Sequence, residues 1–78
     1  MNKRELALLE RVYETEVRSA IYGGPRLCQA TSRLADAMVD DGLLTKSVEI
    51  WRGVRIKGYE LTHAGRFAYC ATCADLPP

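Results

Sequence analysis

The 78-residue chain has one phenylalanine, one tryptophan and one histidine, and almost no net charge, at +1. Each scarcity excludes something. With one histidine, no Ser/His/Asp arrangement, no glycine-rich phosphate loop and no pocket-forming carboxylate pair, an enzyme is not expected. No apolar run approaches the roughly 20 residues that cross a bilayer. The start, Met1-Asn2-Lys3-Arg4-Glu5, is charged and leads into an amphipathic pattern, so it does not read as a secretory signal. The three cysteines are an odd number, which suits a reduced, cytoplasmic setting better than a disulfide framework. A chain this short buries only about 60–65% of its unfolded surface, so it is marginally stable alone.

What is present is apolar content of 47%, too much for a disordered tail. Its arrangement predicts one domain over residues 1–76, with 77–78 as a tail. Leu6, Leu9, Tyr13, Val17 and Ala20 recur at helical spacing and predict a helix over 3–20. Leu8, Val12 and Ile21 widen the stripe, enough for contact with a second subunit. Tyr22-Gly23-Gly24-Pro25 ends it. Residues 26–41 then read as helical, with Leu27, Leu34 and Met38 on one face. Two forms fit: one helix, or a short turn over 26–30 and a longer helix from Thr31 or Ser32. Gly42 suits the position just past a helix end.

Two strands follow, 44–51 and 54–61, joined at Arg52-Gly53. Gly58 inside the second strand predicts a bulge or a close backbone approach. Thr62 is a natural N-cap for a last helix near 63–74, with Phe67, Cys70 or Ala71, and Ala74 on one face. Tyr59, Leu61, Leu34, Met38, Leu44 and Phe67 are expected to be mostly buried. The fold class is therefore α+β, three helices with a two-stranded antiparallel hairpin.

The order helix, Gly42-Leu43-Leu44, hairpin, Tyr59-x-Leu61-Thr62-x-x-Gly65-Arg66 resembles the C-terminal half of MarR- and PadR-type bacterial regulators. These belong to the winged helix-turn-helix superfamily. The resemblance covers roughly residues 31 to 68. It implies a compact winged helix that binds double-stranded DNA, as a homodimer and as a transcriptional regulator of bacterial or phage origin. One departure is visible. A helix-turn-helix needs about twenty residues before the hairpin for two helices, and residues 26–41 offer fewer, so the scaffold helix is truncated.

Within that frame the outward polar residues of the recognition segment would be Arg26, Gln29, Ser32 and Arg33. Arginine and glutamine read guanine and adenine edges, respectively. Lys46, Arg52, Arg55 and Lys57 would meet phosphate or the minor groove. Charge is nearly balanced in the first helix and −1 over 26–41, and only the hairpin, at +2, carries a basic concentration. Asp36 and Asp40 would face the phosphates and oppose binding. Trp51 beside Arg52 has the composition of a binding hot spot; the plainer reading packs it on the first helix or on Tyr59 across the hairpin.

Cys70-x-x-Cys73 with His63 and Cys28 supplies zinc-type donors, but lacks a second close ligand pair and a wrapping loop. No metal and no cofactor is expected. The alternative function is a protein–protein one. Short winged-helix chains of this look are frequent among phage accessory proteins. Some inhibit a host factor, CRISPR effector complexes included (anti-CRISPR proteins), without binding DNA.

Overall fold

The computed structural model describes residues 2–29 and 32–74, with the backbone alone for Cys73 and Ala74. The tail at 77–78 lies outside them. The elements are α1 (Lys3–Tyr22), α2 (Arg33–Asp40), β1 (Leu44–Trp51), β2 (Val54–Leu61) and α3 (His63–Ala74). β1 and β2 form one antiparallel sheet, from Leu44 opposite Leu61 to Trp51 opposite Val54. The chain has the expected α+β class, three helices and a hairpin.

Local chemistry sets most boundaries. Asn2 and Glu5 form a reciprocal capping box at the start of α1: the Glu5 N–H donates to Asn2 Oδ1 at 2.9 Å, and the Asn2 N–H to Glu5 Oε1 at 3.1 Å. α2 ends with two bonds, Gly42 N–H to the Val39 carbonyl and Leu43 N–H to the Met38 carbonyl, with Gly42 at φ 79°. This closure satisfies the last carbonyls and turns the chain into β1. Thr62 caps α3 as expected. Its hydroxyl accepts the Gly65 N–H at 3.0 Å and donates to the Gly42 carbonyl at 2.6 Å, tying the end of α2 to the start of α3.

The core joins Leu9 and Val12 of α1, Cys28 from the segment before α2, Ala35 and Met38 of α2, and Leu44, Tyr59 and Leu61 at the hairpin base. Leu34 is only half-buried. No charged or polar side chain is buried among the described residues. The broad apolar stripe of α1 is covered only in part. Leu9 and Val12 are buried, whereas Ala20, Ile21 and Tyr22 extend past the core into solvent.

Two expectations are corrected. Of the two forms open to residues 26–41 the single helix is ruled out, because residues 26–29 are not helical. Glu49 Oε1 accepts the N–H groups of Arg26 at 2.6 Å and Leu27 at 3.0 Å. Cys28 exchanges both backbone bonds with Tyr59, at 3.1 and 2.9 Å, adding a one-residue third strand to the free side of β2. These long-range bonds outcompete local helix propensity. The helix starts only at Arg33, behind Ser32.

The second correction is Phe67, which is 72% exposed. The helical phase of α3 is set by its contacts. Gly65 is buried against the Leu43 backbone, so closely that a Cβ there would overlap the Leu43 carbonyl. One turn on, Tyr69 meets Tyr13 with ring centroids 5.1 Å apart, and Arg66 bonds Glu16 at 2.8 Å. Two residues past Gly65 is about 200° around a helix, so Phe67 points outward with Cys70 and Ala71.

Gly58 makes the close approach rather than a bulge. The register runs through it without a break, opposite Ser47. A Cβ there would stand 2.5 Å from the Cys28 carbonyl oxygen and 2.9 Å from Leu27 Cβ. The third strand and Leu27 fit over β2 because position 58 has no side chain.

Candidate nucleic-acid interface

A two-residue turn joins the strands. Arg52 and Gly53 sit at φ 52° and 77°, the left-handed pair that matches the twist of a tight hairpin. Arginine is unusual there and carries some strain. Its guanidinium lies over the Trp51 ring, 4.6 Å from the centroid, a cation–π contact.

The register assigns each side chain to a face, since strand residues alternate. One face carries Leu44, Lys46, Val48 and Ile50 on β1 and Arg55, Lys57, Tyr59 and Leu61 on β2. The other carries Thr45, Ser47, Glu49 and Trp51, with Val54, Ile56, Gly58 and Glu60. The charges therefore separate. Both hairpin acids, Glu49 and Glu60, lie on the second face, and three bases, Lys46, Arg55 and Lys57, lie on the first. The acids are engaged there, Glu49 by the backbone of residues 26–27 and Glu60 by Arg26 at 3.6 Å. Arg55 and Lys57 form no ion pair with any described residue.

Nearer the core, α2 meets the basic face. Tyr59 donates its hydroxyl to Asp36 Oδ1 at 2.8 Å, and Lys46 Nζ stands 3.2 Å from the same oxygen. The Tyr59 hydrogen bond, then Lys46, holds the Asp36 carboxyl below the usual carboxylate range. Asp36 in turn raises the Lys46 ammonium and the Tyr59 hydroxyl above their ordinary values. A shallow cleft of about 220 Å³ opens beside this cluster, lined by Gln29, Lys46, Val48, Lys57 and Tyr59.

The sequence-predicted site residues therefore divide. Lys46, Arg55 and Lys57 share one face, Gln29 borders it, and Arg52 and Trp51 stand at its tip. Arg26 lies against the acidic face and pairs with Glu60. Ser32 is occupied as the N-cap of α2, its hydroxyl accepting the Ala35 N–H at 3.0 Å. Neither belongs to a reading surface on α2. Arg33 is exposed at the first turn of α2, but the remaining outward residues, Asp36, Ala37 and Asp40, with Asp41 after them, give that helix an acidic exterior. Trp51 lies on the opposite face from Tyr59, so the expected packing between them does not occur.

Sequence reasoning missed the Asp36–Tyr59–Lys46 cluster and the Glu49 cap on residues 26–27. No local spacing signals either. Each joins groups 10 to 23 residues apart, and only the packing of α2 and of residues 26–27 on the hairpin brings them together.

Of the cysteines, Cys28 is buried and Cys70 exposed, and the Cys73 side chain lies outside the described residues. Among the described residues no three His, Cys, Asp or Glu side chains gather as a metal site. No helix among them is long and apolar enough to cross a membrane. Comparison with protein-family models, curated proteins and solved structures returns no match.

Proposed function

We propose that the protein is a winged-helix module that binds double-stranded DNA through its hairpin, as a small regulator of bacterial or phage origin. The observation that supports this is the charge separation across the hairpin. The first face carries no acid of the hairpin's own and presents Arg55 and Lys57, with Arg52 at the tip and Lys46 paired to Asp36 of α2 at the base. A surface of one sign on an extended ribbon suits a phosphate backbone. In this reading the wing supplies most of the contact. The acidic exterior of α2 leaves Arg33 as that helix's contribution, with Gln29 at the cleft. The test is titration of labelled genomic fragments at low and moderate salt. Affinity should fall steeply with salt. Binding no tighter than about 10⁻⁵ M, the level of non-specific contact, would end the regulator reading.

The reading includes a second copy across α3. From Phe67 to Ala74 the helix has no charged residue on any side, and a helix apolar all round calls for cover on all sides. α1 covers one side, and Phe67, Cys70 and Ala71 remain exposed. A neutral face with small residues around one phenylalanine suits packing on itself. Light scattering in the micromolar range should give twice the chain mass, and Phe67→Asp should return the monomer. A monomeric wild type would overturn this part alone.

A protein-binding reading, such as inhibition of a host factor, is favoured by the acidic exterior of α2 and by the half-buried Trp51 with exposed Arg52 stacked on it. It predicts a stoichiometric protein partner retained from host lysate and lost on Trp51→Ala with Arg52→Glu, while DNA is not bound.

A further inference from the structure

Near its tip the hairpin leaves aliphatic side chains exposed on both faces. Ile50 is 77% exposed, Val54 59% and Val48 45%. Val48 and Ile50 stand among Arg55 and Lys57 on the basic face, and Val54 sits opposite Trp51 on the other. Aliphatic side chains at the end of a strand pair gain nothing from water, and alternation alone does not explain them on both sides. They form an apolar tip inside a cationic collar of Arg52, Arg55 and Lys57.

A partner that fits both parts is anionic outside and apolar within reach. Duplex DNA has this form, with base pairs stacked beneath two phosphate rows. The apex residue decides against a bilayer. Arg52 is the one side chain of the two-residue turn, and inserting the tip into hydrocarbon would drag its charge in. In a minor groove the same arginine meets strong negative potential.

Resting on the DNA-binding reading, we propose that the hairpin tip is a minor-groove wedge. Ile50 and Val54 press between base pairs, Arg52 lies in the groove, and Arg55 and Lys57 hold the flanking phosphates. The wedge unstacks a base step and bends the duplex, as apolar side chains inserted from the minor groove do.

The experiment combines three readouts on an end-labelled duplex of about 30 base pairs, long enough to report a bend: anisotropy for binding, energy transfer between the ends for bending, and Trp51 emission. Trp51 is the sole tryptophan, so emission reports the tip alone. Wild-type binding should raise energy transfer and change Trp51 emission together. Ile50→Ser with Val54→Ser should keep the salt slope, abolish the rise in energy transfer and weaken binding roughly ten- to a hundredfold, as two lost aliphatic contacts imply. Arg55→Ala with Lys57→Ala should lower the salt slope by about two yet still bend DNA at saturation. Far-UV circular dichroism checks that each variant is folded. Binding without bending or emission change overturns the wedge and leaves the DNA-binding reading standing, and so does unaltered bending by the serine variant. No binding to DNA overturns both. A Trp51 blue shift with anionic phosphatidylglycerol vesicles but none with DNA also overturns the wedge.

Discussion

The base and the tip of the hairpin are made from the same kinds of residue and meet opposite fates. At the base Leu44, Tyr59 and Leu61 are buried, at 1%, 6% and 8% exposure, while Ile50 at the tip is 77% exposed. Both halves alternate and both are rich in β-forming side chains. The difference lies in what reaches them. The base is held by α2 through Asp36, by Cys28 along the free side of β2 and by Leu27 over Gly58. At the tip nothing among the described residues covers Ile50 or Val54, which stay exposed. Strand formation follows from local sequence and pairing, but burial follows from what packs on the strand.

The largest effect should come from truncation at the base. Met38→Ala and Leu44→Ala should each cost about 2–5 kcal/mol in urea unfolding, from lost burial plus a cavity. Ile50→Ala and Val54→Ala should stay within about 0.5 kcal/mol, as exposed substitutions do. Equal costs at the two ends would break the comparison.

Gly58→Ala comes next. Its methyl would meet the Cys28 carbonyl and Leu27, so the third strand must shift, at about 1–3 kcal/mol. Hydrogen exchange at the Cys28 and Tyr59 amides should speed up in this variant, and unchanged exchange would show that residues 27–28 do not depend on the space at position 58.

At the tip, Arg55→Ala with Lys57→Ala should leave stability within about 0.5 kcal/mol. A substantial loss in urea unfolding would mean that these cations hold the fold rather than face a partner.

The smallest effect is on pH dependence. Asp36 has its folded pKa lowered below 3.8, so its contribution is present above that value and is lost as pH falls through the folded pKa. Lys46 and Tyr59 are raised above 10.5 and 10.0, so theirs is present at neutral pH and lost as pH rises through those higher folded values. Both partners of the ion pair are solvated, which keeps the effect small. Thermal unfolding followed against pH should show a plateau at neutral pH with an acid and an alkaline decline. Asp36→Asn should flatten both, and an unchanged profile would mean the cluster contributes nothing to stability.

Much of this was legible from residues near one another in the chain. The stops at Tyr22-Gly23-Gly24-Pro25 and Gly42, the Thr62 cap and the Arg52-Gly53 turn are local events, with backbone groups satisfied within a few residues. The strand limits, 44–51 and 54–61, follow from the turn and the alternation around it. The candidate site was legible as a list, because Lys46, Arg52, Arg55 and Lys57 are the chain's densest group of cations. Arg26 and Ser32 were misplaced because their roles depend on distant or capping partners.

The sequence by itself determined the elements, since capping, turn geometry and apolar periodicity act over a few residues and need no partner. Tertiary structure alone decided which side of α3 faces in, because Phe67 to Ala74 is uncharged all round and only Gly65 against Leu43, with Tyr69 on Tyr13, sets its phase. It also decided that residues 26–29 are not helical, because Glu49 and Tyr59 supply bonds that no neighbour in the chain offers. The segregation of hairpin charge belongs to both: alternation placed Glu49 and Glu60 opposite Lys46, Arg55 and Lys57, but only the paired register and the segment 26–28 covered one face and left the other open.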